Sequence, residues 1–107
     1  MLSLVIPVYR NEESLPDLLA AVDGLNEQLD GAMETIFVVD GSPDRCYEIL
    51  RERLPQCAFR SRLVLLTRNF GSFAAIRAGL EIADGPYFTV MAADLQEPPE
   101  LVLKMHA

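Results

Sequence analysis

Histidine and cysteine are scarce in this sequence, which contains one His and two Cys among 107 residues. His106 lies next to the C-terminus, so the chain offers no pair of histidines for a metal site or an acid–base site. The separation of Cys46 from Cys57 matches neither a zinc site nor a redox pair. We therefore expect both cysteines to be free thiols that pack in or just after a helix.

Basic residues are also few, since 9 Lys and Arg stand against 16 Asp and Glu and the formal net charge is -7. A protein that binds DNA or RNA needs a cationic surface for the phosphates, so the composition argues against nucleic acid as a partner. It equally disfavours electrostatic docking to anionic lipids. The acidic residues are scattered along the chain, as expected for a solvated surface.

Long hydrophobic runs are absent as well. Apolar runs such as residues 36–39 and 63–66 have the length of strands, whereas a membrane-spanning helix needs about 20 apolar residues. The N-terminus lacks the basic region and the small-residue cleavage site of a signal peptide. We therefore expect this chain by itself to be soluble and cytosolic, and to form one domain without linkers or repeats.

Short apolar runs alternate with segments of helical periodicity. Strands are predicted at residues 2–9, 35–40, 62–67 and 87–93. Helices are predicted between Asn11 and Gly31, at residues 44–54 and 72–83, and from Pro98 onward. The first helix should bury one stripe of residues at helical spacing. That stripe is Leu15, Leu18, Leu19, Val22, Leu25 and Leu29.

This β-α-β-α-β-α-β-(α) order, with nearly continuous apolar strands, predicts an α/β fold. We expect a Rossmann-like three-layer α/β/α sandwich with a mainly parallel sheet. Small residues in the third helix should let it approach the sheet closely. They are Ala74, Ala75, Ala78 and Gly79. Ligands of such folds bind beyond the carboxyl ends of the strands. The segments expected to converge there are 9–13, 40–44, 68–71 and 94–97.

Each polar segment at that edge admits two interpretations. The amides of the first segment suit an electronegative ligand group, but Asn11, Glu12 and Glu13 are equally suited to capping the helix. Asp40 could accept a hydrogen bond from a base or a ribose, or it could satisfy amides of its own turn. Arg68 is either a ligand-binding cation or a surface residue paired with a nearby carboxylate.

Asp94 and Gln96 flank Leu95 just after the fourth predicted strand. In an extended segment their side chains face the same way, and a carboxylate with an amide oxygen suits Mg²⁺ or Mn²⁺. Such a cation would neutralise a diphosphate leaving group. The alternative is that this segment caps the helix that begins at Pro98, with Glu97 in its acidic first turn.

Taken together, four segments resemble family 2 glycosyltransferases with the GT-A fold. They are residues 6–15 (IPVYRNEESL), 39–44 (VDGSPD), 66–79 (LTRNFGSFAAIRAG) and 93–100 (ADLQEPPE). The resemblance is greatest to the branch that transfers sugars to dolichol or undecaprenyl phosphate. It runs in order along essentially the whole chain.

The resemblance implies that residues 1–107 are the nucleotide-sugar-binding half of a glycosyltransferase domain, truncated at the C-terminus. This half corresponds to the N-terminal half of the GT-A fold. The full-length parent would transfer a sugar from a UDP- or GDP-linked donor to an acceptor, a polyprenyl phosphate, and would be associated with the membrane. No catalytic residue is expected within this chain, so the fragment alone should be inactive.

The resemblance also implies roles for individual residues of this sequence. The expected nucleotide-binding residues are Pro7, Tyr9, Glu13, Asp40, Arg68 and Asp94. The expected ligands of the divalent cation, Mg²⁺ or Mn²⁺, are Asp94 and Gln96.

Two positions depart from the family pattern. Relatives carry a pair of aspartates where this chain has Val39 and Asp40, and they carry Asp-x-Asp where it has Ala92 two residues before Asp94. A hydrogen bond to a charged group contributes about 1.5–3 kcal/mol, so both losses should weaken binding of the donor and of the metal. The alternative function is therefore a non-catalytic scaffold or assembly module with a degenerate donor site.

Two further classes of protein share the alternating order of strands and helices. A phosphoacceptor receiver domain needs a Lys near the end of its last strand, whereas Lys104 lies in a predicted helix. A dinucleotide oxidoreductase needs Gly-x-Gly-x-x-Gly after the first strand, and this sequence has none there. Whatever the function, a sheet with an unpaired edge and an uncovered apolar surface should make the isolated chain self-associate.

Overall fold

The computed structural model describes residues 2–83, 87–91 and 93, and in this part of the chain four strands alternate with three helices. The strands are β1 (Leu2–Val8), β2 (Met33–Asp40), β3 (Arg60–Leu66) and β4 (Tyr87–Val90). The helices are α1 (Leu15–Gln28), α2 (Cys46–Arg53) and α3 (Ser72–Ile82). Short 3-10 turns at Glu12–Ser14 and Leu54–Gln56 precede α1 and follow α2.

The strands form one parallel sheet in the order β3-β2-β1-β4. At the start of β1, Leu2 lies opposite Met33 of β2 on one side and Tyr87 of β4 on the other. A hydrogen bond of 3.1 Å from the Met91 amide to the Val5 carbonyl continues the pairing one residue beyond β4. The parallel sheet predicted from the alternating pattern is therefore confirmed.

Successive residues of the two central strands supply separate apolar layers on opposite faces of the sheet. On one face, Leu4, Ile6 and Phe37 belong to the larger buried cluster, together with the apolar sides of α1 and α2. On the other face, Val5 and Val38 pack in a smaller cluster with α3. Helices thus cover both faces, and the predicted three-layer sandwich is confirmed.

Helix α3 lies very close to the sheet. A methyl group added at Gly79 would lie 2.6 Å from Cγ1 of Val5, so the glycine makes this distance possible. One turn earlier, Ala75 is completely buried. At the far end of the helix, Nη1 of Arg62 on β3 donates a 2.7 Å hydrogen bond to the carbonyl of Ile82. The close approach predicted from the small residues of this helix is confirmed.

Several element boundaries differ from the sequence-based expectation. β2 begins two residues earlier, at Met33, because its pairing with β1 extends to Leu2. α2 begins at Cys46 and not at residue 44; the carboxylate of Asp44 lies before the helix and accepts hydrogen bonds from the amides of Glu12 and Cys46. β4 ends at Val90, three residues short of the predicted end.

The stripe predicted for α1 is buried as expected from Leu15 to Leu25. Its last member, Leu29, follows the helix and is half-buried against the core. The helix predicted from Pro98 onward lies outside the described residues.

The two cysteines are free, with Cys46 buried and Cys57 half-buried, as the sequence predicted. Within the described residues, no helix combines the length and the apolar character needed to cross a membrane.

Candidate functional site

Three loops meet at the carboxyl edge of the sheet. Loop 1 (residues 9–13) follows β1, loop 2 (residues 41–45) follows β2, and loop 3 (residues 67–71) follows β3. Because β1, β2 and β3 are adjacent and parallel, these loops lie side by side. The strand order reverses at β1, whose neighbours are β2 and β4, and ligands of open α/β sheets bind at such a reversal.

Asp40, the last residue of β2, fixes the conformation of loop 3. Its side chain is only 2% exposed. Oδ1 accepts a 2.8 Å hydrogen bond from the amide of Phe70, and Oδ2 accepts hydrogen bonds from the amide of Gly71 (3.0 Å) and from Nδ2 of Asn69 (3.2 Å). The alternative that Asp40 satisfies amides of its own turn is therefore wrong. Its partners lie in the next loop of the sheet edge.

Gly41 allows loops 2 and 3 to touch through their backbones. A Cβ atom at this position would lie 2.2 Å from the carbonyl carbon of Arg68 and 2.4 Å from the amide nitrogen of Asn69. The backbone of Gly41 also has a φ of 60°, which L-amino acids with a side chain rarely adopt. Both observations require glycine at the first position of loop 2.

Two side chains of loop 2 hold the backbone of loop 1. The Arg10 amide donates to Oγ of Ser42 (2.8 Å), and the Glu12 amide donates to Oδ2 of Asp44 (3.2 Å). The hydroxyl of Ser42 donates in turn to Oδ1 of Asp44. In the opposite direction, the amide of Arg45 donates to Oε1 of Glu12 (2.8 Å). The two loops are thus linked reciprocally.

The Asp44 carboxylate and the Cys46 thiol have shifted pKa values. Burial by itself would raise the pKa of Asp44, but hydrogen bonds from Cys46, Ser42 and the Glu12 amide outweigh it and lower that pKa below its ordinary value. The pKa of Cys46 is raised to about 12, chiefly by burial and further by its hydrogen bond to the Asp44 carboxylate. Asp44 is therefore an anion in the native protein and Cys46 a neutral thiol.

Two arginines stack on aromatic rings at this edge. The guanidinium carbon of Arg10 lies 5.2 Å from the centre of the Tyr9 ring, and that of Arg68 lies 4.9 Å from the centre of the Phe70 ring. All four side chains are exposed. Across the described ranges 2–83, 87–91 and 93, no carboxylate forms an ion pair with either arginine, so the alternative of a paired surface Arg68 is not supported there.

In the first predicted segment, the polar side chains make loop contacts that the capping interpretation did not include. Oδ1 of Asn11 accepts a 2.8 Å hydrogen bond from the Tyr9 amide and does not cap a helix. Glu12 bonds to Arg45 of loop 2. The side chain of Glu13 is exposed in the 3-10 turn, and Pro7 is partly buried near the end of β1. Capping therefore does not explain Asn11 or Glu12, whereas loop contacts do.

Val39 lies on the opposite face of β2 from Asp40. Its side chain is completely buried in the larger cluster, with the apolar residues of α1 and α2. A carboxylate at this position would lie in the core of this chain and would not reach the three loops. Val39 is therefore a core residue here.

The predicted metal ligands Asp94 and Gln96, and the substituted position Ala92, lie outside the described residues. Among the residues that the structure does describe, no group of three or more His, Cys, Asp or Glu side chains could hold a metal ion. A groove of about 430 Å³ lies elsewhere, between α1 and the turn after α2, and is lined by residues such as Leu19, Arg53 and Cys57. It contains none of the predicted donor-site residues.

The sequence predicted a turn in loop 2 but not the contacts of Ser42 and Asp44 with loop 1. The Ser-Pro-Asp sequence carried a signal, since both side chains accept hydrogen bonds from backbone amides in turns. The amides that they bind belong to residues 32 positions away in the chain, so sequence spacing alone does not identify them.

Comparison with known proteins gives a consistent result. The model of the family described as Glycosyl transferase family 2 matches residues 3–107. An undecaprenyl-phosphate 4-deoxy-4-formamido-L-arabinose transferase of Aeromonas hydrophila subsp. hydrophila is 42% identical over 105 residues, which are 98% of this chain and 32% of that protein. An uncharacterized glycosyltransferase of Bacillus subtilis, YkcC, is 41% identical over 103 residues, covering 96% of this chain and 32% of that protein. This chain therefore spans about a third of the length of these relatives.

A solved structure supports the fold. The crystal structure of S. aureus TarS 1-349 in complex with UDP-GlcNAc matches with a TM-score of 0.75 at 20% sequence identity, over 87% of this chain and 26% of that one. Another crystal structure of S. aureus TarS 1-349 matches 98% of this chain and 33% of that one, also with a TM-score of 0.75, at 18% sequence identity. Because the sequence identity is at most 20%, this structural similarity supports the fold alone.

Proposed function

This chain belongs to glycosyl transferase family 2, and we propose that it forms the donor-binding half of an enzyme that transfers a sugar from a UDP- or GDP-sugar to a polyprenyl phosphate. Relatives about 40% identical that are named undecaprenyl-phosphate sugar transferases support this acceptor class. The acceptor is a membrane lipid, so we place the full-length enzyme at the cytoplasmic surface of the membrane. The 107 residues by themselves would bind donor but not complete the reaction.

The observation that carries the proposal is the set of three loops joined at the carboxyl edge of the sheet. Loop 2 holds loop 1 through Ser42 and Asp44, and Asp40 at the end of β2 holds loop 3. At this edge Tyr9 is exposed in loop 1 and Arg68 is exposed in loop 3, with loop 2 between them. An aromatic ring can stack on a nucleobase, and a guanidinium can bind a phosphate-bearing ligand.

The remaining assigned residues take supporting roles in this proposal. Pro7 and Glu13 flank the Tyr9 segment and would border the base or the ribose. Asp40 would contribute to nucleotide binding chiefly through loop 3, because its carboxylate oxygens already accept three hydrogen bonds from that loop.

Asp94 and Gln96 would hold Mg²⁺ or Mn²⁺ next to the donor diphosphate, and Asp94 would also border the nucleotide. The cation, when bound, would neutralise charge that develops on the leaving nucleoside diphosphate. With Ala92 in place of the first carboxylate of the family pattern, this site has one anionic ligand fewer. The group that activates the acceptor would come from sequence beyond these residues.

Calorimetry of the full-length protein with UDP and GDP in the presence of Mn²⁺ tests the proposal. We expect one of the two nucleotides to bind, and Tyr9→Ala and Arg68→Ala each to weaken its binding about tenfold, the loss of a charge-assisted or stacking contact. Arg77→Ala is the matched control, since Arg77 is exposed on α3 and lies outside the three loops. Absence of binding by the wild-type protein would contradict the proposal.

The second candidate is a non-catalytic scaffold or assembly module with the same fold. The burial of Val39 in the core favours it, because a second aspartate cannot be restored there without placing an unpaired charge among apolar side chains, at a cost of several kcal/mol. The discriminating variant is therefore Ala92→Asp alone. If the donor site is only weakened, Ala92→Asp should increase metal-dependent nucleotide affinity; with no nucleotide binding in either protein, the scaffold function would be the better account.

A further inference from the structure

Loop 1 is held in an unusual backbone conformation. Arg10 has a φ of 54°, in the left-handed region that residues with a side chain rarely adopt. The preceding Tyr9 presents a ring that is 37% exposed. A conformation of this kind persists only where neighbouring groups hold it. Here Asn11 within loop 1 accepts the Tyr9 amide, and side chains of loop 2 hold the amides of Arg10 and Glu12.

Ser42 provides the direct contact. Its Oγ accepts the Arg10 amide at 2.8 Å. Its own proton is directed to Oδ1 of Asp44, which leaves the oxygen lone pairs of the serine available to Arg10. Asp44 therefore fixes the orientation of the Ser42 hydroxyl, and the other oxygen of Asp44 holds the amide of Glu12 at 3.2 Å.

The carboxylate of Asp44 is itself kept in place by the start of α2. The amide of Cys46, the first residue of that helix, donates to Oδ1 at 3.2 Å. The contacts thus run from the helix α2, through Asp44 and Ser42, to the backbone of the residue that carries the guanidinium and stacks on Tyr9. Neither Ser42 nor Asp44 needs to touch a ligand to act in this way.

We propose that Ser42 and Asp44 are positioning residues for donor binding, which hold Tyr9 and Arg10 in the conformation that contacts the nucleotide. This inference rests on the proposed function. It adds two residues to the site that contribute through loop 1, and it assigns to Arg10 a place beside Tyr9 at the nucleotide.

Nucleotide binding by the full-length protein, measured by calorimetry with UDP and GDP plus Mn²⁺, tests the positioning role. Ser42→Ala removes the acceptor for the Arg10 amide and should weaken binding about fivefold, the equivalent of one hydrogen bond. Ser42→Thr retains the hydroxyl and should restore affinity to within about twofold of the wild type. Asp44→Asn should weaken binding at least as much as Ser42→Ala. Asp17→Asn, the same change at an exposed carboxylate of α1, should leave it unchanged.

A double-mutant cycle separates positioning from a general loss of stability. If Ser42 acts through loop 1, the fivefold effect of Ser42→Ala should shrink to about twofold in a Tyr9→Ala background, whereas an effect of equal size in both backgrounds would overturn the inference. Wild-type affinity in Ser42→Ala would also overturn it while leaving the proposed function intact. A wild-type protein that binds neither nucleotide would instead overturn the proposed function itself.

Discussion

Gly41 occupies the position at which loops 2 and 3 come closest. Replacing it with alanine would bring Cβ to 2.2 Å from the Arg68 carbonyl carbon and force a side chain onto a backbone with a φ of 60°. The left-handed conformation alone costs about 1–2 kcal/mol, and the contact is with backbone that cannot rotate away. We expect Gly41→Ala to lower the free energy of unfolding by at least about 2 kcal/mol, measured by urea denaturation.

Gly24 offers a matched control for this substitution. It lies within α1, and a Cβ atom there meets no atom within 4 Å. Alanine is favoured over glycine inside a helix by about 0.5–1 kcal/mol, so Gly24→Ala should be neutral or stabilising. Equal changes in the free energy of unfolding for the two substitutions would show that the close contact at Gly41 does not require glycine.

Cys46 predicts a specific dependence of stability on pH. Its pKa is raised from the ordinary value of 9.0 to about 12, mainly by burial. As the pH rises above about 9, the unfolded chain loses the thiol proton while the folded chain keeps it, so this group destabilises the folded state progressively between about pH 9 and pH 12. Below that range it has no effect.

Chemical denaturation at two pH values measures this contribution. Between about pH 8 and pH 10 the free energy of unfolding of the wild type should fall by roughly 1 kcal/mol more than that of Cys46→Ala, since one pKa unit corresponds to about 1.4 kcal/mol. Cys57→Ala leaves the Cys46 thiol in place and should retain most of the wild-type pH dependence. If the free energy of unfolding changed with pH equally in the wild type and in Cys46→Ala, the raised pKa of Cys46 would be contradicted.

At the scale of elements, the packing of α3 on the sheet depends on the absence of side chains at the contact. Gly79 and Ala75 face the central strands, where a methyl group at Gly79 would already lie 2.6 Å from Val5. We expect Gly79→Leu to destabilise the protein by about 1–3 kcal/mol or more, the usual range for overpacking. Gly24→Leu, the same change in a helix without a neighbour, should have little effect. The two unfolding free energies provide the comparison.

Loop 2 behaves as a central element even though it is short. Gly41 packs against loop 3, to which the preceding strand residue Asp40 is also hydrogen-bonded, and Ser42 and Asp44 connect loop 2 to loop 1. Its position follows from the strand order, because β2 lies between β1 and β3. A change in this loop is therefore expected to affect both neighbouring loops, whereas a change in either neighbour affects one.

At the scale of the whole molecule, β4 leaves apolar side chains at the edge of the sheet. Phe88 is 61% exposed and Val90 38% exposed, and alternate residues of a strand lie on the same face. We expect the isolated 107-residue chain to self-associate at micromolar concentrations, because β4 is an edge strand of the sheet in the described part of the chain, and an edge strand with exposed apolar side chains favours association. Light scattering should show a mass that increases with concentration, and Phe88→Glu should reduce the increase. A monodisperse monomer at all concentrations would contradict this expectation.

Much of the architecture follows from residue order alone. The alternating apolar and helical patterns predicted the parallel sheet, the helices on both faces and the edge at which the loops meet. The individual contacts at that edge could not be predicted in the same way. Val39 and Asp40 are neighbours in the chain, yet one is buried in the cluster below α1 and α2 and the other binds loop 3, because adjacent strand residues face opposite sides of the sheet.

The sequence by itself thus determined the fold class, the family and the three loops that meet at the carboxyl edge of the sheet, because periodicity and local turn residues are encoded over a few positions. Only the tertiary structure decided what the polar side chains do. Asp40 finds its partners 29 to 31 residues away, and Ser42 and Asp44 find theirs 32 residues away. Such partners are fixed by the register of parallel strands, which places distant loops within hydrogen-bonding distance of one another.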